Sequence, residues 1–525
     1  MRPFFRIMLY TGSMIRSFAT VSSGTLASRL LGFVRDSMVA ALLGAGLVAD
    51  AFLVAFQLVN VVRRLLTEGA LNAAVVPAWL RLRDTKGAVE AAAFAGKLLG
   101  TVSAAVVAAA ALMALVMPLV ITALAPGFAG SEALAMAVAN ARLMLPYLAF
   151  AGPVTVLMSV MNAQGRFALA AFSPLLFNIS LIAAIAALLL WRQDGAHAAL
   201  ILAAVVGIAG LLQLSILMLG RKEKTAAPLR VSFDAEMRGF FARAIPGMIA
   251  NSGPQLLMVA AAIIASSSPS AVSWLYFANR LIELPLGLVG VAMGTVLVRE
   301  LSNAVQGGDA GAVAHAQSRA IELAAGLALP ATLGLIALAE PIVRLLFERG
   351  AFTADDTIST ARALMWLALG LPAQVLFKAL APAFFARDNT TAPLLAVVKG
   401  ILLALASAYL FGHFFGTEGI AAGIALGAWG SAIGLIREGA RRFGFGIDAA
   451  ARRRLPRIAA AALAMGAALW LVPIASLQGI AQASCLIALI AASVALYGLL
   501  LQLFGVTGWR EAISAFKGGQ RDLRE

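Results

Sequence analysis

Residues 196–220 read AHAALILAAVVGIAGLLQLSILMLG, twenty-five positions without one Asp, Glu, Lys or Arg. A bilayer crossing needs about 20 mostly apolar residues, so this run predicts a membrane span. Working outward, runs of the same kind lie near 17–44, 47–80, 91–124, 132–163, 168–191, 239–266, 271–299, 318–340, 354–386, 391–413, 417–437, 456–474 and 480–507. Together they predict an all-α polytopic membrane protein with about 14 transmembrane helices. Composition agrees: the 525-residue chain is 62% hydrophobic and only 12% charged, where a soluble chain carries about 25% charged residues.

The net charge of +15 suggests nucleic acid only until the charges are placed on the spans. With both termini inside, the inner connections hold about 27 of the 40 Lys and Arg, among them Arg221, Lys222, Lys224, Arg441, Arg442, Arg452, Arg453 and Arg454. The outer connections hold Arg192, Arg344 and Arg349. This asymmetry sets orientation and brings basic residues to the cytoplasmic leaflet, so no nucleic-acid partner is expected. A single cysteine, Cys485, excludes an intramolecular disulfide, and three histidines argue against a histidine-rich metal site. No G-x-x-x-x-G-K-[ST] loop occurs. Met1–Tyr10 has no small-residue cleavage site after it and reads as an uncleaved cytoplasmic extension, with Met14 an alternative start.

Two halves of the chain repeat one another. Pro118, Arg142, Pro153 and Pro174 are spaced 24, 11 and 21 residues apart; Pro341, Arg362, Pro372 and Pro393 are spaced 21, 10 and 21 apart. Tyr147-Leu148-Ala149 precedes Pro153 as Trp366-Leu367-Ala368 precedes Pro372. An offset of about 220 residues holds six spans, so both copies insert the same way round, as parallel repeats with a substrate site between them. The expected organisation is a cytoplasmic extension (1–16), an N-lobe of six helices (17–220), a basic linker (221–238) and a C-lobe of six helices (239–440). A second basic linker (441–455), two further helices (456–507) and a cytoplasmic tail (508–525) complete it.

Charges inside the spans carry the functional signal, because each costs at least about 2.5–3.5 kcal/mol at the bilayer centre unless paired or hydrated. The first span holds Arg29, Arg35 and Asp36, with Arg29 and Asp36 seven residues apart on nearly one face. The second holds Asp50, Asn60, Arg63, Arg64 and Glu68, with Arg64 and Glu68 at i and i+4. Arg63 and Arg64 fall near the middle of the run 47–80, too far from its ends to snorkel. The eighth holds Asn279, Arg280 and Glu283. Five arginines face four acids, and the planar guanidinium fork suits bidentate contact with phosphate oxygens.

These residues resemble a family. Ser28-Arg29-Leu-Leu-Gly-Phe-Val-Arg35-Asp36, Ala49-Asp50-Ala51-Phe52, Asn60-Val-Val-Arg63-Arg64-Leu-Leu-Thr-Glu68-Gly69-Ala70 and Tyr276-Phe-Ala-Asn-Arg280-Leu-Ile-Glu283-Leu-Pro285-Leu-Gly287 closely resemble the MurJ (MviN) lipid II flippases. That family belongs to the multidrug/oligosaccharidyl-lipid/polysaccharide exporter superfamily. The resemblance implies two six-helix lobes around a V-shaped cavity, and two final helices lining a groove for a polyprenyl tail. It implies movement of the undecaprenyl-diphosphate-linked peptidoglycan precursor across the bacterial inner membrane by alternating access, and so a transporter, not an enzyme. Arg29, Arg35, Arg63, Arg64 and Arg280 would meet the diphosphate or its adjoining sugar. Asp36, Asp50, Asn60, Glu68 and Glu283 would serve as counter-charges and gating partners.

The sequence departs from the family at three positions. Gln57 and Val59 stand where a basic residue and a proline are usual, and Asn279 stands where Asp is common. No cofactor or metal is expected; the membrane potential, and a monovalent cation with Asn251, Ser252 and Gln255 as neutral ligands, are the candidates for coupling. The expected partners are lipid II and membrane lipids, with other cell-wall synthesis proteins as further candidates. Two rival functions are an exporter of another polyprenyl-linked oligosaccharide or of drugs, and a membrane transferase. The first predicts an acid-led cavity if the cargo is cationic, and the second a large extramembrane loop.

Overall fold

The computed structural model describes residues 23–24, 26–67, 70–220, 226, 228–287, 310–385, 387, 389–444, 446–472 and 479–506. Glu68, one of the expected counter-charges, lies outside them. Among the described residues, all fourteen sequence runs fall on helices and no strand occurs.

The helices are α1 (26–43), α2 (Leu47–Thr67), α3 (Ala70–Lys86), α4 (Ala88–Leu115), α5 (Met117–Leu124), α6 (Glu132–Met144), α7 (Pro146–Ala163), α8 (Phe167–Trp191), α9 (Gly195–Leu219), α10 (Ala235–Asn251) and α11 (Gly253–Ala265). They continue as α12 (271–287), α13 (Ala310–Ala337), α14 (Ala339–Phe347), α15 (Ala354–Ala368), α16 (Leu371–Phe385), α17 (Thr391–Phe443), α18 (Ala449–Trp470) and α19 (Gly479–Leu503). Seven described helical segments are long and apolar enough to cross a membrane, α6 and α7 counting together as one, and an eighth if α15 and α16, bent by 42°, count as one. The expected span 239–266 is built from two shorter helices, α10 and α11, which meet at Ser252 just before Pro254.

The sequence repeat reappears as a repeat of elements. Helix α4 has 28 residues and is followed by the 8-residue α5; α13 has 28 and is followed by the 9-residue α14. Each landmark pair falls in matching helices: Pro118 and Pro341 in α5 and α14, Arg142 and Arg362 in α6 and α15, Pro153 and Pro372 in α7 and α16, Pro174 and Pro393 in α8 and α17. Helix α17 holds two expected spans. Gly416, at φ 57° and ψ −137°, breaks it, and the two arms close on each other through Gly419, Gly423 and Gly427.

The chain forms two compact units, Met1–Phe277 with Arg349–Asp356, and Ala278–Glu348 with Thr357–Glu525. In the first unit, Phe94 and Leu98 of α4 pack with Leu157 and Val160 of α7, Trp79 of α3 and Phe240 of α10. Helices α10 and α11 pack on α2, α3 and α5, which places them in this unit. The excursion 349–356 is tied in by Ala351 N–H donating to Ala41 O at 2.8 Å and Trp274 Nε1 donating to Asp356 Oδ1 at 3.0 Å. Residues 229–234 run along α4: Thr101 exchanges hydrogen bonds with Ser232, and Lys97 Nζ pairs with Asp234 Oδ2 at 2.9 Å.

In the second unit the two extra helices are built onto α13. Ala461, Ala462 and Met465 of α18 and Leu486 and Tyr497 of α19 share one core with Leu338. Arg454 reaches Glu322 at 3.4 Å and Tyr497 Oη donates to Gly326 O at 2.9 Å. Helix α14 is amphipathic as its sequence predicts: Ala339, Val343 and Phe347 are buried, while Arg344 pairs with Glu340 at 2.6 Å and Glu348 at 3.4 Å.

Candidate functional site

The first unit gathers polar side chains from α1, α2, α8, α11 and α12. Arg35, 4% exposed, donates through Nε and Nη2 to Asp36 Oδ1 at 2.9 and 2.6 Å, and through Nη1 to Asn178 Oδ1 at 3.0 Å. Its guanidinium lies 5.0 Å from the Phe56 ring centre and 5.6 Å from that of Phe177. Asn178 also donates to the Ser28 carbonyl at 3.0 Å, so one amide of α8 fixes α1 at two points. Tyr276 Oη donates to Asp36 Oδ1 at 3.4 Å.

Arg63 approaches Phe177 from α2, at 5.8 Å from the ring centre, and donates to Asn60 Oδ1 at 3.2 and 3.3 Å. Phe177 is therefore a shared platform for two guanidinium groups. The ring itself is seated by Tyr147, edge-on at 5.1 Å, whose hydroxyl donates to Gln213 Oε1 at 3.2 Å. Arg64 donates through Nη1 to the Gln255 side-chain oxygen at 2.7 Å, with the amide turned so that its nitrogen donates to Ser252 O at 3.2 Å. Asp50, 3% exposed, accepts from Ser273 N at 2.9 Å and from the Ser273 hydroxyl, linking the start of α2 to the start of α12.

Arg63 and Arg64 lie on the described part of α2, where Asn60 and Gln255 engage them. Arg29 is exposed, whereas Asp36 is 1% exposed and paired with Arg35; burial separates the two residues that helical spacing places on one face. Gln57 and Val59 lie within α2, which continues through them.

In the second unit, Arg280 Nη1 pairs with Glu283 Oε2 at 2.5 Å, one turn along α12. With Asn279 neutral, Glu283 supplies the carboxylate for this arginine. Among the described residues no three His, Cys, Asp or Glu side chains converge as a metal site would require. Of the neutral ligands expected for a cation, Gln255 accepts from Arg64 and donates to the Ser252 carbonyl.

Sequence reasoning missed Phe56, Phe177, Asn178 and Ser273. Asn178 could have been found, since it is a lone amide in the apolar run of α8 and falls under the same rule as the buried charges. Phe177 could not, as one of 28 phenylalanines.

A family profile described as "Lipid II flippase MurJ" matches residues 39–491. The chain belongs to the MurJ family. "Probable lipid II flippase MurJ" of Rhizobium meliloti (strain 1021) is 36% identical over 510 residues, covering 94% of both chains. "Lipid II flippase MurJ" of Burkholderia cenocepacia is 31% identical over 424 residues, covering 79% of this chain and 82% of its own. Among solved structures, "Lipid II flippase MurJ, inward closed conformation" matches with a TM-score of 0.75 at 22% identity, over 94% of this chain and 99% of that one. An inward-facing multidrug resistance MATE family transporter matches at 0.67 and 16% identity, over 79% of this chain and 94% of that one. These two likenesses establish the MurJ/MATE polytopic membrane fold.

Proposed function

We propose that this protein moves lipid II, the undecaprenyl-diphosphate-linked peptidoglycan precursor, from the cytoplasmic to the periplasmic leaflet of a bacterial inner membrane by alternating access. The observation that carries the reading is the arginine pair on Phe177: a MurJ-family chain holds two guanidinium groups against one ring within its spans. Guanidinium forks bind phosphate oxygens in pairs, and an aromatic platform orients them without neutralising their charge. Arg29, Arg35, Arg63, Arg64 and Arg280 receive the diphosphate and adjoining sugar. Asp36, Asp50, Asn60, Glu68 and Glu283 act as counter-charges, with the Asp50–Ser273 link as a gating contact that breaks and re-forms in the cycle. Both termini are cytoplasmic, as the basic connections favour. The potential resets the cycle, worth about 2.3 kcal/mol per elementary charge per 100 mV; a monovalent cation is the alternative coupling species.

The test is a leaflet assay with lipid II in proteoliposomes. Wild type should expose added lipid II to the opposite leaflet, and Arg64→Ala should lose at least about tenfold of that rate, about 1.4 kcal/mol, while remaining folded. A wild-type rate equal to protein-free vesicles would overturn the function; full activity in Arg64→Ala would overturn the site. The fold shared with MATE transporters makes a drug exporter the second reading. Transport of a cationic dye, without movement of lipid II, would favour it.

A further inference from the structure

The second unit contains a feature that plays no part in the arginine site. A cavity of about 640 Å³ opens between the second arm of α17 and α18, floored by α13 and by the break between α15 and α16; Leu329, Pro372, Leu426, Trp429, Ala459 and Leu463 line it. Its volume is that of a small-molecule site, and its wall is almost wholly carbon. Trp429 Nε1 is engaged by the Leu369 carbonyl at 2.9 Å, so the indole offers the space no donor. Apolar space of this kind does not hold water. Leu463 is 61% exposed and Trp366, also on the wall, is 43% exposed, so the slot opens outward, where a membrane-crossing chain meets hydrocarbon. Among the described residues, helix α19 contributes nothing to the lining, which separates this slot from a groove made by the two last helices.

The ends of α17 and α18 supply the second half of a binding site. Residues 444–448 join the end of α17 to the start of α18. Arg437, Arg441, Arg452 and Arg453 are exposed there and have no carboxylate partner among the described residues. Arg452 precedes Ala459 by seven residues, on the same helical face and about 10 Å along the axis. Arg437 follows Leu426 by eleven residues, three turns on and about 16 Å away on the same face. One leaflet's hydrocarbon is about 15 Å deep. A lipid phosphate at these arginines therefore has its chain at the depth of the slot.

We propose that this slot binds an acidic bilayer phospholipid, one acyl chain between α17 and α18 and the phosphate on Arg437 and Arg452. Unpaired guanidinium groups select an anionic headgroup over a zwitterionic one. The site is thus a specific lipid seat on the flank of the second unit.

Trp366 and Trp429 report on the slot directly. The full chain is reconstituted in phosphatidylcholine vesicles with a minor fraction of chain-brominated phosphatidylglycerol, or of chain-brominated phosphatidylcholine. The slot contribution is the quenching lost in the Trp366→Phe/Trp429→Phe variant. Brominated phosphatidylglycerol should quench it several-fold more than brominated phosphatidylcholine at equal mole fraction. Arg437→Gln/Arg452→Gln, which alters only exposed side chains, should bring the two lipids level. Ala459→Phe, which fills the slot and keeps the arginines, should also remove the excess. Equal quenching by the two lipids in wild type, or an undiminished excess in the arginine variant, overturns the proposal. So does displacement of the brominated lipid by undecaprenyl phosphate but not by unlabelled phosphatidylglycerol, which would assign the slot to a polyprenyl tail. The readout involves no transport, so its failure leaves the flippase reading standing.

Discussion

Arg35 and Asp36 show why a buried charge pair is read wrongly from one partner. Each is buried, and the Arg35 guanidinium is further shared with Asn178 and two phenylalanine rings. Removing Arg35 alone, as Arg35→Met, leaves a buried carboxylate and should cost about 3–5 kcal/mol, seen as a lower melting temperature in detergent. The double variant Arg35→Met/Asp36→Leu should recover most of that stability, because the buried carboxylate is removed with its arginine, yet should not recover lipid II transport. A double variant that melts as low as the single one would show that the pair is not a stability unit. Asn178→Ala removes a hydrogen bond to a charged group, worth about 1.5–3 kcal/mol. Its transport rate should fall well below wild type at comparable folded yield.

At the scale of elements, close backbone approach and helix ends decide what the apolar pattern leaves open. In α17, a side chain at Gly423 would place its Cβ 2.3 Å from Ala408 N, so the arms meet only because small residues recur every fourth position, as is common between membrane helices. Gly423→Leu should therefore force the arms apart, at a cost of at least about 1–3 kcal/mol, measured as loss of the monodisperse peak on size exclusion; Gly446→Ala, in the connection, should not. The clasp of residues 229–234 on α4 is electrostatic. Asp234 caps α10, and the Met237 N–H above all, then Lys97 and Ser232, hold its carboxyl down at about 2. A carboxyl lowered on folding stabilises fully above its ordinary value of 3.8 and loses that contribution as pH falls toward about 2. A spin label at the exposed Val231 should stay immobilised at neutral pH and become mobile only across that acid window. In Lys97→Met the midpoint should move upward. A label equally mobile at all pH values would remove the clasp.

For the whole molecule, the repeat and the charge asymmetry are the long-range facts. Matching proline and arginine landmarks in α5–α8 and α14–α17 show that the halves share one plan, whereas the compact units divide at Phe277–Ala278 within α12. The two divisions answer different questions: the repeat follows sequence, and compactness follows which helices α10 and α11 pack against. Orientation is testable because Cys485 is the one cysteine. In a Cys485→Ser background, a cysteine at position 454 should react with an impermeant thiol reagent only from the cytoplasmic side, and one at 192 only from outside. The reverse pattern would invert the topology.

The sequence alone determined that the chain is a helical membrane protein of repeated halves with costly charges in named spans. Apolar run length, loop charge and proline spacing are properties of local sequence, and the bilayer reads them locally. Only the tertiary structure decided what each charge touches. Phe177 beneath two arginines, Asn178 across α1, Ser273 on Asp50 and the slot between α17 and α18 are contacts between residues distant in sequence. Their partners are chosen by packing, and no periodicity along the chain records them.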